Sequence, residues 1–302
     1  MLVFNHKTKN DELVIGNELV SNILRKKITT PLFIYDKEKV SHYIKNIRDN
    51  FPNDMKIHYA LKANPFPPLL SYISKLVDGM DVASKGELEI ALNAGMNSGN
   101  ITFAGPGKRP FELECAIKNK VTVNIESINE LKRCIEIGEK TNEMPKIAFR
   151  INPNFELKSY GIEMGGGSSP FGIDAEDVPT LLDFIQNKNI HFRGFHIYSG
   201  SQSLSETRLT EMISNCFNLA KKLAINSSVE VESLNIGGGF GIPYFLGESD
   251  LDIKMIGNSF SDLYKKWKKD FPKSEVILEL GRYLVGSAGI YVCTIIDKKI
   301  SR

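Results

Sequence analysis

Eight helix-like stretches of mixed polarity lie between residues 37 and 272, and a short apolar run follows each one. The helical stretches fall at about 37–50, 66–76, 85–95, 109–118, 127–142, 175–189, 204–226 and 254–272. The runs after them are KIHYAL, LVDGMDVA, ITFA, VTVNI, KIAFRI, FRGFHI, SLNIG and VILEL. They are short and rich in β-branched and aromatic residues, as strands are. Eight helix–strand units in one domain predict a closed (β/α)8 barrel, with a doubly wound open sheet as the alternative. A barrel places its chemistry at the C-terminal ends of its strands. Those ends carry Lys62, Asp81, Arg150, His196, Gly237, Gly238, Gly239, Glu279 and Arg282. Residues 31–282 are therefore expected to form the barrel. Residues 1–30 (MLVFNH, ELVIGN and a brief helical piece) and 283–302 (YLVGSAGIYVCTIIDKKISR) read as part of a second, β-rich domain whose C-terminal half barely begins.

Several function classes are disfavoured. The chain has 302 residues, 38 basic and 36 acidic, for a net charge of +2, so no basic excess calls for nucleic acid. Its apolar runs are too short to span a bilayer. The N-terminus, MLVFNHKTKNDEL, turns polar too soon for a signal peptide, so a cytoplasmic location is the expectation. Cys115, Cys134, Cys216 and Cys293 are far apart and the five histidines lack metal-ligand spacing, so reduced thiols and no metal site are expected.

The strand-end residues suggest their own chemistry. Lys62, in HYALKANP, sits at a barrel mouth, where desolvation lowers an amine pKa and frees the nucleophile that forms imines. Taken alone, a lysine at a strand end is more often a solvated charge. Gly237-Gly238-Gly239-Phe240-Gly241 follows the seventh strand, where barrels often bind phosphate on backbone N–H groups; a tight turn without ligand is the other reading. Glu279, in ELGR, can hydrogen-bond a protonated pyridine nitrogen, while Arg282 can grip a phosphate or carboxylate. The bland alternative is an ion pair between those two. His196 can stack on a planar group or be a packed structural histidine, and Ser199 and Ser201 offer hydroxyls. Ser84 and Glu87 form a helix-capping pattern, and GIEMGGGSSPFGID (161–174) reads as a lid.

Together, HYALKANP, GMDVASKGELEIALNAG, FRINPN, PFGID, GFHIYSGSQ, GGGFG and ELGR resemble the fold-type III decarboxylases that use pyridoxal 5'-phosphate: the diaminopimelate, ornithine and arginine decarboxylase group on an alanine-racemase-like barrel. The resemblance covers about residues 30–295. It implies that Lys62 carries the cofactor as a Schiff base and that His196 stacks on its ring. It places Ser199 and Gly237 to Gly239 on the phosphate and Glu279 on the pyridine nitrogen. Asp81, Glu87 and Arg150 support the lysine and ring from below, and Arg282 contacts phosphate or substrate carboxylate. GPGK at 105–108, SGSQ at 199–202 and Pro170 depart from the diaminopimelate pattern and look more like a branch found beside acyl ligases and carrier proteins. The implied substrate is thus a small-molecule amino acid or a carrier-linked aminoacyl group. Related racemases place an arginine at the ring nitrogen, so Glu279 favours decarboxylation over racemisation. The retained site residues argue against a non-catalytic regulatory homologue. The resemblance also implies a homodimer in which a C-terminal β-domain lends a cysteine across the two-fold interface. Cys293 comes too early for that role, so the chain is expected to be a fragment of a longer enzyme.

Overall fold

The computed structural model describes residues 7–26, 28–154, 162–163, 169–198, 200–225, 227 and 229–301. In chain order the elements are β1 (Lys7–Lys9), β2 (Glu12–Ile15), β3 (Glu18–Leu19), α1 (Val20–Arg25), β4 (Leu32–Tyr35), α2 (Lys37–Asn50), β5 (Lys56–Ala60), α3 (Pro67–Ile73), β6 (Gly79–Val82), α4 (Lys85–Asn93), β7 (Ile101–Phe103), α5 (Pro110–Lys118), β8 (Thr122–Ile125) and α6 (Ile128–Thr141). There follow β9 (Lys146–Asn152), β10 (Ile162–Glu163), β11 (Ile173–Asp174), α7 (Val178–Ile185), β12 (His191–Ile197), β13 (Gly200–Ser201), α8 (Glu206–Ile225), β14 (Ser233–Asn235), α9 (Ile253–Asp270), β15 (Glu275–Leu280), α10 (Arg282–Val285) and β16 (Gly289–Val292).

Eight strands pair in parallel in the order β9-β12-β14-β15-β5-β6-β7-β8, and β8 returns to β9. The sheet is therefore a closed barrel, not the open alternative. Its helices start where short polar side chains or prolines stop the preceding loop. Asp36 accepts from the N–H groups of Glu38 and Lys39, Ser84 from Glu87 N, Ser127 from Glu130 N and Asp252 from Met255 N. Prolines open α3, α5 and α7, where a missing N–H costs nothing. Each strand is nearly all buried, because one face meets helices and the other the barrel interior. Ile57, Tyr59, Phe103, Val123, Phe149 and Leu278 join helix residues such as Ile44, Leu88, Leu131 and Phe260 in one apolar shell. Non-directional burial of that shell holds helices against the barrel wall.

At the chain ends, β1, β2 and β3 form their own antiparallel sheet, and β4 pairs antiparallel with β16. Residues 283–302 are not a continuous strand. Tyr283, Leu284 and Val285 are buried in and around a helical turn, which uses their apolar surface for packing, and residues 293–301 form neither helix nor strand. Cys293 accordingly lies exposed just past β16. Among the described residues, no helix is long and apolar enough to cross a membrane.

Candidate active site

Lys62 lies two residues past β5 in a single 3-10 turn, Leu61–Ala63. It opens into a cavity of about 220 Å³ at the C-terminal end of the barrel, with Tyr198, Ser201, Gly239, Glu279 and Arg282 among the lining residues. The strand ends thus bring Lys62, Gly239, Glu279 and Arg282 to one pocket. Asp81, Arg150 and His196 stand below it, each under a tenth exposed. Ser199 and residues 161 and 164–168 of the 161–174 lid lie outside the described residues. Glu87 takes its structural role: its Oε2 accepts from Ala83 N at 2.7 Å. Glu279 and Arg282 form no ion pair among the described residues. The guanidinium instead donates to Tyr244 Oη at 3.3 Å and Gln202 Oε1 at 3.5 Å.

The electrostatics correct the expectation for Lys62. Burial does push its pKa down, but the negative charges of Glu279 and Asp81 outweigh this, and the amine ends above its ordinary value. Solvent still reaches Lys62 through the open side of the pocket, while protein crowds its other sides. Its ammonium lies 5.1 Å from the centre of the Tyr198 ring. The two carboxylates part company. Burial and the neighbouring Glu279 hold Asp81 well above the usual range, against the pull of Lys62, the Thr102 hydroxyl at 2.8 Å and Arg150. Glu279 is as buried, yet His196, Lys62 and Arg150 bring it below the usual range. Asn235 Nδ2 donates to Glu279 Oε2 at 3.3 Å. His196 Nε2 also stands 3.3 Å from that oxygen, a charge-distance contact without the alignment of a hydrogen bond.

The glycine run forms a cradle. Gly237 and Gly239 have positive φ values of 67° and 80°, a region that disfavours side chains. A Cβ on Gly238 would stand 1.9 Å from the Glu279 carbonyl oxygen, and one on Gly239 would stand 2.7 Å from that of Gly200. The Gly238 and Gly239 N–H groups have no acceptor among the described residues.

Two features escaped the sequence reading. Tyr198 is one; it follows His196 by two residues, so strand alternation alone puts both on the inner face. The other is a buried ionic hub. Glu126 accepts from Gly105 N, from Arg150 Nη1 at 3.1 Å and from Gly172 N at 3.1 Å. Lys108 donates to the carbonyl oxygens of Gly105 at 2.6 Å and Asn124 at 2.9 Å, and lies 3.1 Å from Glu130. Three strand-end loops are thereby tied to Arg150. Lys108 stood in view in GPGK, but a loop lysine carries no sequence sign of burial.

Comparisons with known proteins agree with this geometry. The family described as pyridoxal-dependent decarboxylase, pyridoxal binding domain, matches residues 37–286. An L-glutamyl-[BtrI acyl-carrier protein] decarboxylase of Niallia circulans is 34% identical over 282 residues, covering 92% of this chain and 66% of the relative. A diaminopimelate decarboxylase of Aquifex aeolicus is 32% identical over 266 residues, covering 87% and 62%. The crystal structure of a diaminopimelate decarboxylase from M. jannaschi superposes with a TM-score of 0.83 at 27% identity, covering 95% of this chain and 68% of that one. The chain thus spans about 66% of the length of curated relatives such as the first. It belongs to the pyridoxal-dependent decarboxylases. The pocket fits their cofactor: the side-chain-free cradle offers N–H groups to a phosphate, an amine faces the cavity, and an ionised carboxylate stands across from it.

Proposed function

We propose that this member of the family binds pyridoxal 5'-phosphate through Lys62 and that the whole protein removes the α-carboxylate of an amino acid, either free and diaminopimelate-like or linked to a carrier. The observation that carries the reading is Glu279, a buried carboxylate kept ionised in the same pocket as Lys62. When bound, the cofactor supplies an electron sink for the pair left as carbon dioxide departs. The protein's residues prepare for that. Lys62 Nζ must give up its proton before it can act as a nucleophile, and the charges of Glu279 and Asp81, which raise its pKa, oppose that loss. Glu279 would hold a proton on the cofactor's pyridine nitrogen, and Asn235 keeps that carboxylate in place. His196 would support the ring, with Arg150 its neighbour on the strand ladder. Gly237, Gly238, Gly239 and Ser199 would take the phosphate. Arg282 would take phosphate or substrate carboxylate by bidentate bonding.

The proposal extends to assembly. We read residues 31–282 as the cofactor-binding barrel and both chain ends as part of a β-rich unit, a reading supported by the pairing of β4 with β16. The whole protein is a homodimer, which sedimentation of the full-length protein checks. The carrier-linked substrate draws support from the Niallia circulans relative, which acts on an L-glutamyl-[acyl-carrier protein]. The deciding experiment offers the full-length protein free amino acids and their carrier-linked forms and measures carbon dioxide release. Release from at least one is expected. Loss of optical activity without carbon dioxide release overturns the reading.

A further inference from the structure

Barrels of this kind usually fill their interior with layers of large branched side chains. This one does not. Below the floor of the upper pocket, Phe195 and Ile277 are the large apolar strand residues of the lining, while Thr102, Thr122, Asn124, Ala148, Ser233 and Asn235 are small or polar. They surround a cavity of about 320 Å³ to which every barrel strand or its entry turn contributes. At the N-terminal end of the barrel its mouth carries Lys56, Asp78, Arg193 and Glu275. Those charges are internally matched: Arg193 Nη2 bonds Glu275 at 3.1 Å and Lys56 lies 3.9 Å from Asp78. A single-sign ligand therefore finds no excess charge there.

The polar atoms inside are unevenly satisfied. His58 Nδ1, Asn124 Nδ2 and His196 Nδ1 are fully buried and meet no hydrogen-bond partner among the described residues. All three residues line the cavity. A buried polar atom left unpaired costs on the order of 1–3 kcal/mol, so three around one polar space call for a partner that donates and accepts. Water, which both donates and accepts, fits that requirement. Polar cavities hold it, and at about 30 Å³ per molecule the volume admits on the order of ten.

The space also touches both site carboxylates through its walls. Thr102 Oγ1 donates to Asp81, and Asn235 Nδ2 donates to Glu279. His196 lines this cavity from above, so it forms the partition between the shaft and the site. We propose that the barrel interior is a water-filled shaft that carries protons between solvent at the N-terminal mouth and the His196, Glu279 and Asp81 group under the active-site pocket. Only N–H and O–H bonds change: one proton enters a water or imidazole as another leaves its far side, and no electrons are transferred. The charged and titratable groups around the partition are Glu279, Asp81, Lys62, Arg150 and Tyr198 above and His58 below. The shaft serves the site from the face opposite the substrate, so protons can equilibrate while the upper mouth is covered. It holds whichever amino acid the upper pocket takes.

The test uses the pyridoxal-phosphate-loaded chain with its histidines labelled with heavy nitrogen. Exchange of the His196 imidazole N–H with water is read by nuclear magnetic resonance, with His42 on α2 as the internal control. Ala148→Leu and Thr122→Leu each plug the lumen from a different strand. Either plug is expected to slow His196 exchange by an order of magnitude or more while His42 stays unchanged. Unchanged His196 exchange in a folded plug variant overturns the proposal. A crystal structure of the native chain is the second measurement, and it stands even if neither plug folds. Ordered water from the mouth to His196 is expected there, and a dry lumen overturns the shaft.

Discussion

Replacing Glu126 by Gln keeps the shape of the buried hub and removes its charge. The Glu126 side chain is 2% exposed, with Lys108 at 1% and Arg150 at 7%, so water screens none of them. One carboxylate oxygen accepts from Gly105 N and Arg150, the other from Gly172 N. An amide has one accepting oxygen, so at least one of these donors would face an N–H group. The two cations would be left with Glu130 as the nearest counter-charge in the hub. Breaking a buried pair from one side costs about 3–5 kcal/mol. With roughly 2–4 °C of melting temperature per kcal/mol in domains near this size, the midpoint should fall by about 6 °C or more. Circular dichroism during heating of the cofactor-free chain measures it. Glu114→Gln is the control: its 2.6 Å bond to Lys118 is on the surface, and the midpoint should stay put. A Glu126→Gln midpoint within 2 °C or so of native would refute the idea that the hub holds three loops on Arg150.

Lys62→Ala should abolish the borohydride-fixed link to pyridoxal phosphate, read by mass spectrometry of the labelled peptide; a link at any other lysine breaks the assignment. Glu279→Ala in the full-length protein should slow carbon dioxide release far more than it weakens cofactor binding. A charged hydrogen bond worth about 1.5–3 kcal/mol corresponds to roughly ten- to 150-fold in rate. Near-normal turnover would sink the electron-sink role. Burial pushes the His58 imidazole down to about 4, from 6.5. The unfolded chain thus holds a proton there that the folded chain lacks between those values, and stability falls as pH drops from 6.5 towards 4, by on the order of 3 kcal/mol from this group. His58→Gln should flatten that part of a urea-midpoint series; an equally steep series would count against it. Asp81→Asn should move the pH profile for covalent capture of pyridoxal phosphate to lower pH, because one of the charges that raise Lys62 is gone. An unmoved profile would show that Asp81 does not help to raise the amine.

The barrel was readable because its evidence is local. Alternation of strand and helix repeats through residues 37–280, and Ser84 and Ser127 mark helix starts by their chemistry. Lys62, His196 and Glu279 were readable as strand-end residues once the strands were placed. What escaped depends on contacts between distant segments. Lys108 reads as a surface lysine until β8 and the loop after β7 close around it. The direction of the Lys62 shift needs Asp81 from β6 and Glu279 from β15 beside it, and desolvation alone gives the wrong sign. The polar lumen did leave a trace: Thr102, Thr122, Asn124 and Asn235 occupy inward positions in strands that otherwise read as apolar.

The divergence of Asp81 and Glu279 connects these features. Two carboxylates in one buried site compete for the same positive charges, and their surroundings decide which is harder to ionise. Asn235 Nδ2 reaches Glu279, and His196, Lys62 and Arg150 all favour its ionised form. Asp81 has the Thr102 hydroxyl and shares Lys62 and Arg150, but it also feels the Glu279 charge and loses. The strand ladder builds in this asymmetry, because His196 and Arg150 sit opposite one another on β12 and β9 while Asp81 pairs with Ala60 on β5 and Thr102 on β7. A barrel filled with branched aliphatic residues has no Thr102 or Asn235 with which to tell the two acids apart. The same polar wall that leaves room for water under the site therefore helps fix which carboxylate ionises easily and which one binds its proton more tightly.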